Sequence, residues 1–144
     1  MGRRKEYIDT LVLSKQEINS IKRAQFEMRM EGFTNQNEEK LRQRLSAFTN
    51  VLSFAFKLPT AVTLAAAAIS AITSSPSERD VIINVCRNGE DYLEQLWNIM
   101  DDNPNYELIE VQLPFLEFID EGFRIVQGRG IVKAVKVGGY WIPM

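Results

Sequence analysis

Residues 58–75, LPTAVTLAAAAISAITSS, run for eighteen positions without a charged side chain, and six of the eighteen are alanine. A stretch like this becomes a helix packed inside a protein or a helix placed against lipid. Alanine has the highest helix propensity, and Pro59 and Pro76 stand at the borders, where proline starts or stops a helix. Val62, Ala65, Ala66, Ile69 and Ile72 recur at helical spacing. Roughly 18 residues is the lower limit for a membrane span. Three threonines, three serines and a proline dilute this one, and such residues drive insertion poorly. The expectation is a helix over 60–74 at the centre of a core, wrapped by larger side chains. A membrane-associated or membrane-active helix over 58–75 is the alternative.

The flanking sequence supplies those larger side chains. Ser14 and Glu17 have the spacing of a capping box, opening a helix over 14–31 with Ile18, Ile21, Ala24 and Met28 on one face. Gly32 is expected to stop it. Asn35 or Asn37 can cap a second helix, 35–57, in which Leu41, Leu45, Phe48, Leu52 and Phe56 form an apolar stripe. Ser75-Pro76-Ser77-Glu78 reads as another capping box with proline at the first helical position. It opens a helix over 76–102 with Ile82, Val85, Cys86, Gly89, Leu93, Leu96, Trp97 and Met100 on one seam. The phase holds through Gly89, which marks a close contact and not a break. Glu90, Asp91, Glu94 and Asp101 are placed mostly off the seam.

After the turn at 102–105 the pattern alternates, with Val111, Leu113 and Phe115 against Glu110 and Gln112. Pro114 lacks a donor and predicts an edge strand or a bulge, with a helix from Pro114 as the rival over 114–122. Residues 123–127 and 131–137 read as a hairpin turned by Gly128-Arg129-Gly130, and Gly138-Gly139 turns the chain into a last strand at 140–142. Tyr7 to Leu13, YIDTLVL, reads as a strand joining that C-terminal sheet. The fold class is α+β: about four helices followed by an antiparallel meander over 106–142. The chain is read as a single domain, residues 1–144, helical to 103 and β from 104, which is enough to bury a core.

Charge is unevenly spread. Residues 1–57 hold eleven Lys/Arg against seven Asp/Glu, residues 76–121 hold two against twelve, and residues 122–144 hold four bases and no acid. Complementary faces on neighbouring subunits, or pairing within the chain, would each use such a distribution.

The composition excludes several chemistries. There is no histidine, which removes His-based triads, the commonest metal ligand and the usual base near neutral pH. One cysteine, Cys86, permits no intrachain disulfide, and on an apolar seam it lacks the electropositive, open setting of a nucleophile. Residues 101–107 begin like a calcium loop, but Tyr106 stands at the glycine position and Gln112 at the bidentate acid. Gly128-Arg129-Gly130 is too short for a phosphate loop. Glu90-Asp91 and Asp120-Glu121 pair carboxylates with no sign of convergence on a second pair. No enzyme, cofactor, metal site or small-molecule substrate is expected. The start, MGRRKEYIDT, has no apolar run, and Glu6 stands where a myristoylation signal wants Ser or Thr, so a cytoplasmic or particle-assembled protein is expected.

What remains is a non-enzymatic interaction or assembly protein, acting as a homo-oligomer or as a subunit of a larger complex, such as a phage or bacterial particle. Tyr140 and Trp141 follow the Gly-Gly turn, either to close the core as a terminal strand or to dock on another subunit. With the basic residues Arg129, Lys133 and Lys136 they form the candidate partner-binding set. A winged-helix-like nucleic-acid-binding regulator, with Arg129 at the tip of its hairpin, is a further alternative. Against it, the helix before that hairpin is acidic where phosphate requires a basic surface.

Overall fold

The computed structural model describes residues 3–144; Met1 and Gly2, where the acylation signal was weighed, lie outside them. The order is β1 (Arg4–Leu13), α1 (Lys15–Glu27), a π-helical turn (Met28–Thr34), α2 (Glu38–Leu45), a short 3-10 turn, α3 (Thr49–Phe56), α4 (Ala61–Thr73), a second 3-10 turn (Pro76–Glu78), α5 (Arg79–Asp102), then β2 (Tyr106–Phe118), β3 (Phe123–Val126), β4 (Ile131–Val137) and β5 (Tyr140–Pro143). Among the described residues, four helical units (α2 and α3 being one interrupted helix) and a five-stranded antiparallel sheet make the α+β fold expected, with one strand ahead of the helices.

That first strand is YIDTLVL, extended to Arg4. It pairs with β2 along its whole length, from Arg4 opposite Phe118 to Leu13 opposite Ile109. The Ser14 and Glu17 capping box is present and opens α1 directly after it. Gly32 does not stop that helix. The chain passes through Gly32 in wider i→i+5 turns, with the Asn35 amide donating to the Met30 carbonyl at 2.9 Å. Widening shifts the helical phase, so Phe33 joins Met28 in the core, and a methyl on Gly32 would stand 2.9 Å from Leu41. Asn37 caps α2, and the stripe Leu41, Leu45, Phe48, Leu52 and Phe56 is buried although the helix is interrupted at Ser46–Phe48.

The Ala-rich helix starts and stops as its sequence dictates, with the Thr60 side chain accepting from the Thr63 amide. It is not central. Leu64, Ala65, Ala68, Ala71 and Ile72 face the core, whereas Ala66 is exposed and Val62 is 58% exposed. It forms the outside of the bundle, against α2, the π turn and α3. The second capping box, unlike the first, does not form: residues 76–78 are a 3-10 turn, and the Ser75 hydroxyl is buried without a partner among the described residues. Helix α5 runs unbroken through Gly89, as its phase predicts.

Pro114 sits inside β2, the central strand, and not at an edge. Strand β1 lies on one side of β2; on the other, β4 pairs with residues 106–112 and β3 with residues 115–118. The Gln127 amide donates to the Pro114 carbonyl at 2.9 Å, which shows that the side where proline lacks a donor faces the gap between β3 and β4. The hairpin expected from 123–127 and 131–137 therefore does not form. Strands β3 and β4 follow one another along the same side of β2, and residues 127–130 join them, with Gly130 packed so closely on the Gln112 carbonyl that a methyl there would stand 2.0 Å from it. The β4–β5 hairpin does form, with positive φ at both Gly138 and Gly139 as a two-residue turn requires.

All four residues of β3 are buried, and α3, α4 and α5 contact it. At the end of its outer edge, the backbone groups of Val126 are met by one side chain. Gln25, fully buried on α1, accepts from the Val126 amide at 2.8 Å and donates to the Val126 carbonyl at 2.7 Å and the Cys86 carbonyl at 3.0 Å. A methyl on Gly89 would stand 1.9 Å from the Val126 oxygen, so only glycine lets α5 approach this closely. The Gly89→Ala variant is expected to lose about 3 kcal/mol or more of unfolding free energy, because β3 and α5 must separate. Denaturant unfolding reads this directly, and a loss below about 1 kcal/mol contradicts the packing.

Candidate interaction surface

The predicted partner-binding residues do not converge on one point. Lys133, Lys136, Tyr140 and Trp141 lie together on the β4–β5 hairpin, with Trp141 beside Lys136 and Tyr140 beside Val137. Arg129 lies in the connection at the far end of β4, where its charge acts on Tyr92 of α5. It is not at a hairpin tip, so the geometry on which the winged-helix alternative rests is missing. Tyr140 and Trp141 form the terminal strand, yet they do not close the core: Tyr140 is 79% exposed and Trp141 43%. Ile142 and Met144 are exposed beside them.

The charge distribution is largely answered within the chain. Six of the nine ion pairs among the described residues join residues 1–57 to residues 76–121. Helices α1 and α5 run antiparallel, joined by Lys15 with Asp101, Lys22 with Glu94, and Arg29 with Glu90. Glu90 is not off the seam. It is 7% exposed and takes a two-pronged contact from Arg29, at 2.7 and 3.0 Å, which holds the guanidinium above its ordinary pKa. Among the described residues Arg129, Lys133 and Lys136 are in no ion pair.

Arg124, the fourth base of the C-terminal segment, is buried. Its guanidinium donates to the carbonyls of Phe54 and Ala55 in the last turn of α3, to Asp9 at 2.8 Å and to the Tyr7 hydroxyl, and lies 3.7 Å from the centre of the Phe115 ring. Nothing in FRIV singles this arginine out except that a charge stands in an otherwise apolar strand. Gln25 has a similar signal, a polar residue four positions after Ile21 on the apolar face of α1.

Burial pushes the Cys86 thiol well above its ordinary pKa, which keeps it protonated and unreactive at neutral pH. Among the described residues no three potential metal ligands cluster. Surface depressions of about 330 and 380 Å³ flank α2, lined by Glu38, Glu39, Arg42 and Val62 and by Asn37, Glu39, Lys40, Gln43 and Arg44, and neither sets a nucleophile beside a base. No single described helix is long and apolar enough to cross a membrane; Glu38–Phe56 and Ala61–Thr73 together would be, but they are bent by 66°.

The sheet has two unlike faces. Tyr7, Asp9, Leu11 and Leu13 of β1 alternate with Glu6, Ile8, Thr10 and Val12; the first set turns toward buried residues of β2, Phe115, Leu113, Val111 and Ile109, whereas in the second only Glu6 stands beside a buried residue, Leu116. The second set, with Ile8 66% and Val12 48% exposed, lies on an open face that continues across β2 to β4 and β5. Comparison with known protein families, with curated proteins and with solved structures finds no match.

Glu117 anchors the other face. It accepts from the Tyr7 hydroxyl at 2.7 Å and from Lys57 at 2.8 Å, and these contacts, Lys57 first, hold its carboxyl below the ordinary value of 4.5. A depressed carboxyl contributes stability that is complete above its unfolded pKa and is lost as pH falls through the folded one. At pH 7 the Glu117→Gln variant is therefore expected to be about 1–2 kcal/mol less stable than the parent. That difference shrinks as pH drops below the ordinary carboxylate range, and urea midpoints at neutral and acid pH measure it. A difference that persists unchanged in acid would rule out the ionised pair as its source.

Proposed function

We propose that this chain is a non-enzymatic interaction or assembly subunit, working as a homo-oligomer or within a larger complex. One observation carries the reading: the last strand, β5, presents Tyr140, Trp141 and Ile142 to solvent, next to an open sheet face holding Ile8, Val12 and Ile131. Isolated exposed apolar residues are ordinary, but Trp141 shares the open face with Ile8, Val12 and Ile131, while Tyr140 and Ile142 alternate to the other side of β5, and exposed Trp and Tyr are favoured interface anchors. Lys15, Lys22 and Arg29 pair with Asp101, Glu94 and Glu90 within the chain, and the open sheet face is mainly apolar, so apolar burial is the main driving force for association through it and salt has a secondary effect. A structural component of a bacterial or phage particle fits this description.

Light scattering on the purified chain across a concentration series tests the reading. The expected result is a discrete oligomer, or a monomer that forms a defined complex when its partner is supplied. Deleting residues 140–144 is expected to leave circular dichroism and cooperative unfolding intact, because β5 buries little, while lowering the assembled mass. A chain that stays monomeric at every concentration and captures no partner contradicts the proposal.

A further inference from the structure

The strand register fixes what the open face carries. Ile8 lies beside Pro114, and Thr10, Gln112 and Ile131 form the next row. Val12, Glu110, Ala134 and Pro143 form a third row, and Leu108, Lys136 and Trp141 a fourth. Across four strands the face is apolar with few charges, and Arg4, beside Phe118 at its far end, is held by Glu78. Glu6 and Glu110 stand on β1 and β2, and Lys136 on β4. Among the described residues none of the three is in an ion pair.

We infer that this face receives a second copy of the same chain, packed sheet against sheet about a two-fold axis parallel to the strands. The inference rests on the assembly reading above and names its surface. A two-fold interface joins a patch to itself, so the patch must complement itself. Turning the sheet over about an axis along its strands lays the β1–β2 side of one copy on the β4–β5 side of the other. Glu110 of each copy then meets Lys136 of the other, one row along the strands, while Glu6, beside Leu116 at the far end of β1, stays outside this contact and Val12, Ile131 and Trp141 form the apolar filling of a sandwich. A two-fold axis perpendicular to the strands would set glutamate over glutamate and is disfavoured. Edge-to-edge addition at β5 is disfavoured too, because Pro143 has no amide to donate to a new strand. Aligned sheets pack about 10 Å apart, a separation that side chains of this size fill.

Charge reversal with mixing tests the arrangement. Glu110→Lys and Lys136→Glu alter exposed or half-exposed positions, and each variant alone is expected to raise the dimer dissociation constant roughly tenfold or more by opposing like charges. Mixed in equal amounts, the two variants are expected to recover the parental mass as a one-to-one heterodimer, which pairing within one chain cannot produce. Val12→Glu and Ile131→Glu are expected to give folded monomers, with the fold verified by circular dichroism and unfolding midpoint. If the parent is oligomeric and every variant keeps its mass, this surface is overturned and the assembly reading stands. If the mixture stays monomeric while the parent dimerises, the two-fold arrangement is overturned. A parent that is monomeric throughout overturns the inference; if it then forms a defined complex with a different protein, assembly survives with another occupant.

Discussion

A strand buried on both faces and along its free edge is the constraint that the rest of this molecule satisfies. Backbone amides and carbonyls cannot be left unpaired away from water, at a cost of about 1–3 kcal/mol each. Strand β3 pairs with β2 on one side, and on the other its last residue meets the Gln25 side chain, which spends both its donors and its acceptor on Val126 and Cys86. Gly89 is the counterpart on α5, where the absence of a side chain allows the helix backbone to reach the same carbonyl. One glutamine and one glycine thus seat the sheet in the helical layer at the β3 end. The opposite end, β4 and β5, extends away from this anchor, and its hairpin remains exposed.

Charge serves the same docking. The basic N-terminal third and the acidic helix are sorted along the sequence because they meet in space, where α1 and α5 lie antiparallel. Exposed pairs of this kind contribute little individually, but the buried contact of Arg29 with Glu90 fixes the register of the two helices, since either charge alone would be left without solvent. Arg124 does comparable work beneath the sheet, tying the C-terminal turn of α3 to β1 across the Phe115 ring.

Much of this architecture is legible from local rules. The stripe from Leu41 to Phe56, the Ser14 cap, the phase of α5 through Gly89 and the β-forming YIDTLVL each follow from periodicity or from one side chain bonding to its neighbours. What escaped sequence reasoning depends on contacts distant in the chain. The π turn buries Phe33 and brings Gly32 against Leu41 and Ala68 of α4, contacts distant in the chain. Pro114 is tolerated in a central strand because the neighbouring strand happens to break opposite it, and no local pattern reveals that. A hydrophobic run with small residues also gives little sense of which side faces inward, so α4 reads as central when it is one-sided. Tyr140 and Trp141 were legible as a strand, while their exposure follows from how far the helical layer extends, which only the assembled fold defines.

The seated strand and the bare hairpin are two consequences of one arrangement, in which a rigid anchor at β3 presents the open sheet face without occupying it. Amide hydrogen exchange at Val126 tests that arrangement most directly. Val126 is predicted to exchange only on global unfolding, with protection matching the most stable amides of α1 and α5, while residues 128–130 of the adjoining connection exchange by local fluctuation. Exchange of the Val126 amide at the rate of that connection would show that Gln25 does not hold the edge of β3, and the account of how the sheet is seated would fail.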